Sequence, residues 1–218
     1  VAPVLFCAPG GGRVAKLSGA KAWLHIQDFE VEAAFGLGLL DSDFARSFAV
    51  STEEMLLRRF DRVSTITPRM RERLAAKGVS DSDTVLFPNW TDLETIRPLQ
   101  TPSPRMEALR AELGLKKDTL VVLYSGNLGE KQGIETLVET ARKLEQRSDI
   151  AVVLCGDGAA AARLGVLAET VRNLRLLPLQ SAETFNDLLN LAQIHLLPQR
   201  SDAADLVMPS KLGAMLAS

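Results

Sequence analysis

The sequence has 218 residues, 46% of them hydrophobic and 24% charged, with a formal net charge of -2. That composition builds one large core or two small ones; the slight negative charge argues against global attraction to nucleic acid, and apolar runs broken well short of ~18 residues argue against a spanning helix. Cys7 and Cys155 each sit in an apolar run and read as small buried thiols, so no disulfide framework is expected; with no signal-peptide pattern at the start, the expected compartment is the cytoplasm.

In chain order, "PVLFCAP", "KAWLHIQDF", "RVSTIT" and "TVLFP" are short apolar or β-branched runs bounded by Pro, Gly or Asp, and predict buried strands. Between them "RVAKLSGA", residues 41–60 and "PRMRERLAAKG" predict helices, the last with Met70 and Leu74 on its apolar face and Gly78 as its stop. From Asn89 to Lys117 turn residues and prolines interrupt the pattern around one short helix, which reads as an interdomain linker. Beyond it "TLVVLYSG", "IAVVLCGDG", "NLRLLPL" and "IHLLPQ" predict four more strands. The intervening helices carry apolar stripes at Ile134, Leu137, Val138, Ala141 and Leu144, at Leu164, Leu167, Ala168 and Val171, and at Phe185, Leu188, Leu189 and Ala192. Strand, helix, strand at this spacing predicts parallel sheets, hence an α/β chain of two Rossmann-like units.

Ligands of open parallel sheets bind beyond the carboxyl ends of the strands. There the chain places "GNLGEKQG", "GDGA" and, before its last helix, "MPSK". Glycines at a strand end expose backbone amides, a helix N-terminus attracts anions, and Lys131 and Lys211 add charge, a combination suited to a diphosphate. Pro209 is expected at the first helical position; a tight turn with a surface lysine, and a simple helix start at Pro209, remain the alternatives.

The order "YSGNLGEKQGIETLVETARKL", "VVLCGDG", "PSKLGAMLAS" resembles the donor-binding domain of retaining GT-B glycosyltransferases of family 4, in the branch of the colanic acid and exopolysaccharide enzymes. "HIQDF", "STITPRMRERL" and "FPNWTD" resemble pieces of that branch's acceptor domain. The resemblance implies two facing Rossmann-like domains, here both incomplete: 1–91 on the acceptor side, a linker over 92–117, and a donor-binding domain over 118–218. It implies sugar transfer from a nucleotide-sugar to a saccharide or lipid-linked saccharide acceptor, with no bound metal and no cofactor besides the donor. Carried over residue by residue, Gly126, Asn127, Gly129, Gly156 and Gly158 line the nucleotide-sugar, Lys131 neutralises the departing phosphates, and Ser210 and Lys211 contact diphosphate or ribose. His25 and Asp28 face sugar and acceptor; a satisfied, half-buried histidine is the alternative for His25.

The chain departs from the family in having Asn127 where many members carry arginine, and Ala214 where a second glutamate belongs; Asp205 lies one residue from the position of the first. A metal pair at Asp202 and Asp205 is disfavoured. Between Arg46 and Lys77 eight basic residues stand against four acidic ones, interleaved with Phe48, Met55, Leu56 and Phe60, which suits either a helix on an anionic membrane face or a solvated surface. The competing functions are a GT-B sugar-nucleotide 2-epimerase and a non-catalytic binding or scaffold protein.

Overall fold

The structure is a computed structural model that describes residues 4–29, 31, 42–129, 133–198 and 209–218. Contacts divide the chain into two compact units between Asn89 and Trp90, with Ser210–Ser218 belonging to the second.

The first unit contains three parallel strands in the order β1-β2-β3, namely β1 (Trp23–Ile26), β2 (Arg62–Thr65) and β3 (Thr84–Leu86). Helix α1 (Val4–Ser18) precedes the sheet, α2 (Asp43–Leu57) leads into β2, and α3 (Pro68–Ala76) leads into β3. The start of α3 follows from its sequence: Thr67 accepts a hydrogen bond from the Met70 amide at 3.1 Å, and Pro68 occupies the first turn, where no amide is needed. Gly78, at φ +80°, ends it as the sequence predicts. Ile26, Val63, Leu57, Met70 and Leu74 form the core. Beside them Lys77 and Glu53 form a buried ion pair at 2.6 Å, and the Lys77 ammonium lies 5.4 Å from the centre of the Phe29 ring.

One expected strand is corrected. Of "PVLFCAP", residues 4–9 belong to α1, and Cys7 is exposed rather than buried. Pro9 and Gly10–Gly12 lie inside this helix against their propensity. Its less exposed positions, Ala8, Gly12 and Ala15, recur at helical spacing. A face of small residues lets α1 approach α2 closely, and from Ala8 to Ala15 it has none of the large apolar residues by which an amphipathic helix is recognised.

The second unit is a four-stranded parallel sheet in the order β6-β5-β4-β7. Its strands are β4 (Leu120–Ser125), β5 (Ile150–Cys155), β6 (Leu174–Leu177) and the two-residue β7 (Ile194–His195). In β4 and β5 every residue after the first is buried, which explains their unbroken apolar sequences. Helices α5 (Ile134–Lys143) and α6 (Ala161–Thr170) cover the face bearing Val122, Tyr124, Val152 and Leu154. Helices α4 (Pro104–Glu112), α7 (Ala182–Leu191) and α8 (Leu212–Ala217) bring residues to the face bearing Val121, Leu123, Val153 and Cys155. The three predicted apolar stripes face this core except for Leu144, which lies half-buried beyond the end of α5.

Much of segment 92–117 is packed into this unit. Leu109 and Leu113 are buried in its core, the Ser103 hydroxyl donates to Asp187, and Arg105 donates to the Gln180 side chain at 3.0 Å. Asn186 and Asn190 of α7 accept from the Arg97 and Leu99 amides at 3.0 and 2.8 Å.

Candidate functional site

Beyond β4 and β5 the two loops continue the pairing of the strands. The Gly126 amide donates to the Cys155 carbonyl and the Leu128 amide to the Asp157 carbonyl, both at 2.8 Å. Gly126 and Gly156 hold φ values of +148° and +150°, which disfavour any side chain. A Cβ on Gly156 would overlap the Gly126 carbonyl, and one on Gly158 would come within 2.6 Å of Asn127 Oδ1. Asp157 caps its own turn by accepting from the Gly158 amide at 2.7 Å.

Lys211 closes this edge. Its ammonium lies where a Cβ on Gly126 would stand, donates to the Tyr124 hydroxyl at 3.1 Å and sits 4.5 Å from the centre of the Tyr124 ring. Tyr124 donates onward to the Asn127 carbonyl at 2.8 Å, so the cation, ring and loop form one chain of hydrogen bonds. Burial lowers the Lys211 pKa. An anion arriving at the glycine edge would favour its charged form. Gly126, Asn127, Gly129, Gly156, Gly158 and Lys211 therefore meet at one sheet edge, with Ser210 exposed and adjacent in the chain. Lys131, Asp202 and Asp205 lie outside the described residues. Helix α8 begins at Leu212, with Ser210 and Lys211 in the turn before it, so Pro209 is not the first helical residue.

His25 and Asp28 lie at the carboxyl end of β1 in the first unit. His25 Nδ1 is 2.8 Å from Ser64 Oγ, its register partner on β2, and its ring meets Phe87 edge-on at 5.6 Å. Burial lowers the His25 pKa and raises that of Asp28. Sequence reading missed Tyr124, Ser64 and Phe87, whose importance appears only through partners many residues away. Among the described residues no group of His, Cys, Asp and Glu is arranged for a metal ion, and no helix is long and apolar enough to cross a membrane.

Two family models match in tandem: a glycosyl transferase 4-like domain over residues 3–90 and glycosyl transferases group 1 over residues 105–206. The chain belongs to the GT-B glycosyltransferases. Over its whole length it is 40% identical to a protein of Escherichia coli (strain K12) named as a colanic acid biosynthesis glycosyl transferase, WcaI, of which it spans 54%. It is 25% identical to the alpha-galactosylglucosyldiacylglycerol synthase of Streptococcus pneumoniae, over 66% of this chain and 39% of that protein. The chain thus spans about half the length, or less, of these curated relatives. Among solved structures, Alr3699/HepE of Anabaena superposes with a TM-score of 0.65 at 16% identity, over 88% of this chain and 50% of that one. The sucrose-phosphate synthase of Thermosynechococcus elongatus gives 0.65 at 20% identity, over 92% of this chain and 51% of that one. These likenesses show the α/β fold of the GT-B glycosyltransferases, and the sequence matches show the family.

Proposed function

We propose that this chain serves a retaining glycosyltransferase that moves a sugar from a nucleotide-sugar to a saccharide acceptor, lipid-linked, in bacterial exopolysaccharide synthesis. The observation that carries the reading is the Lys211 ammonium seated over the side-chain-free backbone of Gly126 at the carboxyl edge of the second sheet. Loss of a nucleoside diphosphate concentrates negative charge on its oxygens and an oxocarbenium-like charge on the sugar. A fixed cation and exposed amides stabilise that state more than the ground state. In this reading residues 118–218 hold the donor, with Lys131 as the second cation and Ser210 on diphosphate or ribose. Residues 1–91 hold the acceptor, with His25 and Asp28 toward the sugar, and 92–117 join the two halves.

HepE was crystallised with UDP and with UDP-glucose, which makes UDP the first nucleotide to try. Calorimetry with UDP, GDP and ADP tests the reading. One diphosphate should bind, and Lys131→Ala should weaken it at least about tenfold, the equivalent of ~1.4 kcal/mol. Unchanged affinity in that variant removes Lys131 from its role, and no binding of any diphosphate removes the donor site. The sequence match to WcaI supports the exopolysaccharide setting.

The membrane contact belongs to the same proposal: a cytoplasmic enzyme at the inner face of an anionic membrane. Phe44, Phe48 and Met55 recur along α2 and are exposed, with Arg46, Arg58 and Arg59 exposed nearby in sequence. Co-sedimentation with anionic vesicles that salt abolishes is the expected result; equal recovery with neutral vesicles counts against it.

A further inference from the structure

The hydrogen bonds around Ser64 have a direction. Trp23 Nε1 is a donor only, and it donates to Ser64 Oγ at 2.8 Å. The same oxygen lies 2.8 Å from His25 Nδ1. Ser64 is 1% exposed, so its hydroxyl proton is shielded from bulk water. Among the described residues no other acceptor is bonded to that oxygen. A buried hydroxyl that has already accepted one bond must spend its proton on the remaining neighbour, because leaving it unpaired costs about 1–3 kcal/mol.

We propose that Trp23 and Ser64 are positioning residues that lock His25 in one neutral tautomer, with Nδ1 accepting the Ser64 proton and Nε2 carrying its own. Position and register supply the parts. Trp23 and His25 are two residues apart on β1 and so share a face, and Ser64 is the register partner of His25. The Gln27 side-chain amide lies 3.5 Å from His25 Nε2. A half-turn of that amide exchanges its oxygen and nitrogen and lets it accept from Nε2–H. The lowering of the His25 pKa by burial agrees with a ring kept uncharged. The consequence rests on the reading of His25 as a sugar-side residue: its Nε2–H would be an uncharged hydrogen-bond donor to a sugar oxygen that takes the place of the Gln27 amide.

Nitrogen NMR of the full chain labelled at histidine tests the lock without any ligand, so its failure and that of the transferase reading are separable. The sequence has two histidines, and His25→Gln assigns their signals. The expected spectrum shows His25 Nδ1 unprotonated and Nε2 protonated. In Ser64→Ala the two nitrogen shifts should move toward each other as the tautomers exchange, and Ser64→Thr, which restores a hydroxyl, should return them. A protonated Nδ1 or mixed tautomers in the unsubstituted chain, or a Ser64→Ala spectrum identical to it, overturns the proposal.

Discussion

Beyond β4 and β5 the second unit presents backbone: Gly126 leaves no side chain between the sheet edge and the Lys211 ammonium, and Gly156 and Gly158 let the two loops close on each other. Beyond β1 the first unit presents side chains, His25 and Asp28, with Ser64 behind the histidine. The interiors differ in the same sense. Both faces of the second sheet are packed mainly with aliphatic residues and the second unit buries only uncharged polar ones among the described residues, Thr119, Ser125 and Asn173, whereas the first unit buries the charged Glu53 and Lys77 with Ser64, Thr65 and Thr84 in a smaller core. An apolar core that over-determines the strands can hold glycines in strained conformations at their ends. A smaller unit with buried charge depends more on each polar pair being complete.

That contrast is most open to attack at Glu53. Removing its carboxylate takes an ion-pair partner at 2.6 Å from the buried Lys77, which keeps its remaining contacts, Phe29 among them, so the loss is at most about 3–5 kcal/mol. Amide exchange in Glu53→Ala should accelerate through β1, β2 and β3 and stay unchanged in β4 and β5. Replacing both partners by apolar residues, as in Glu53→Leu with Lys77→Met, should recover most of the loss. Unchanged protection of β2 in the single variant would show that the first unit does not rest on this pair.

The second unit should fail instead at its glycines. Gly156→Ala forces a side chain into φ +150° and against the Gly126 carbonyl, so strain of about 1–3 kcal/mol is a lower bound. The signature is accelerated exchange in β4 and β5 with β1–β3 untouched, together with lost nucleoside diphosphate binding. Lys211→Met is a finer probe of the same edge. It removes the charge and keeps the stem over Tyr124, so diphosphate affinity should fall about tenfold, ~1.4 kcal/mol, with little change in melting temperature. An affinity equal to that of the unsubstituted chain would leave the glycine edge without its cation.

The sequence made one side of this contrast more legible than the other. Strands β4 and β5 could be read because burial on both faces demands unbroken apolar runs, and helix α5 between them because large aliphatic residues recur at helical spacing. Helix α1 was illegible for the converse reason: Ala8, Gly12 and Ala15 make a face without large side chains, and "PVLFCAP" alone has the length and composition of a strand. At the candidate site Gly126, Gly156 and Lys211 were visible as residue types. Tyr124 was not, since nothing local pairs residue 124 with residue 211. Ser64 was hidden likewise, because its meaning comes from the register that sets it opposite His25.

The smallest expected effect separates site from scaffold within the first unit. Burial raises the Asp28 pKa, so the folded chain holds that proton more tightly than the unfolded chain does. Stability linked to Asp28 is therefore greatest below the ordinary carboxylate pKa, declines as pH rises through the raised folded value, and is constant above it. Asp28→Asn removes this dependence. Relative to the unsubstituted chain it should gain stability at neutral pH and show less difference at pH 3, in paired urea titrations that cancel every other titrating group. A carboxylate that costs stability at neutral pH is expected of a group kept for a ligand, whereas the complete Glu53–Lys77 pair is expected of a scaffold. Equal urea midpoints for both proteins at both pH values would place Asp28 in ordinary solvent and remove the distinction between the edge of β1 and the rest of its unit.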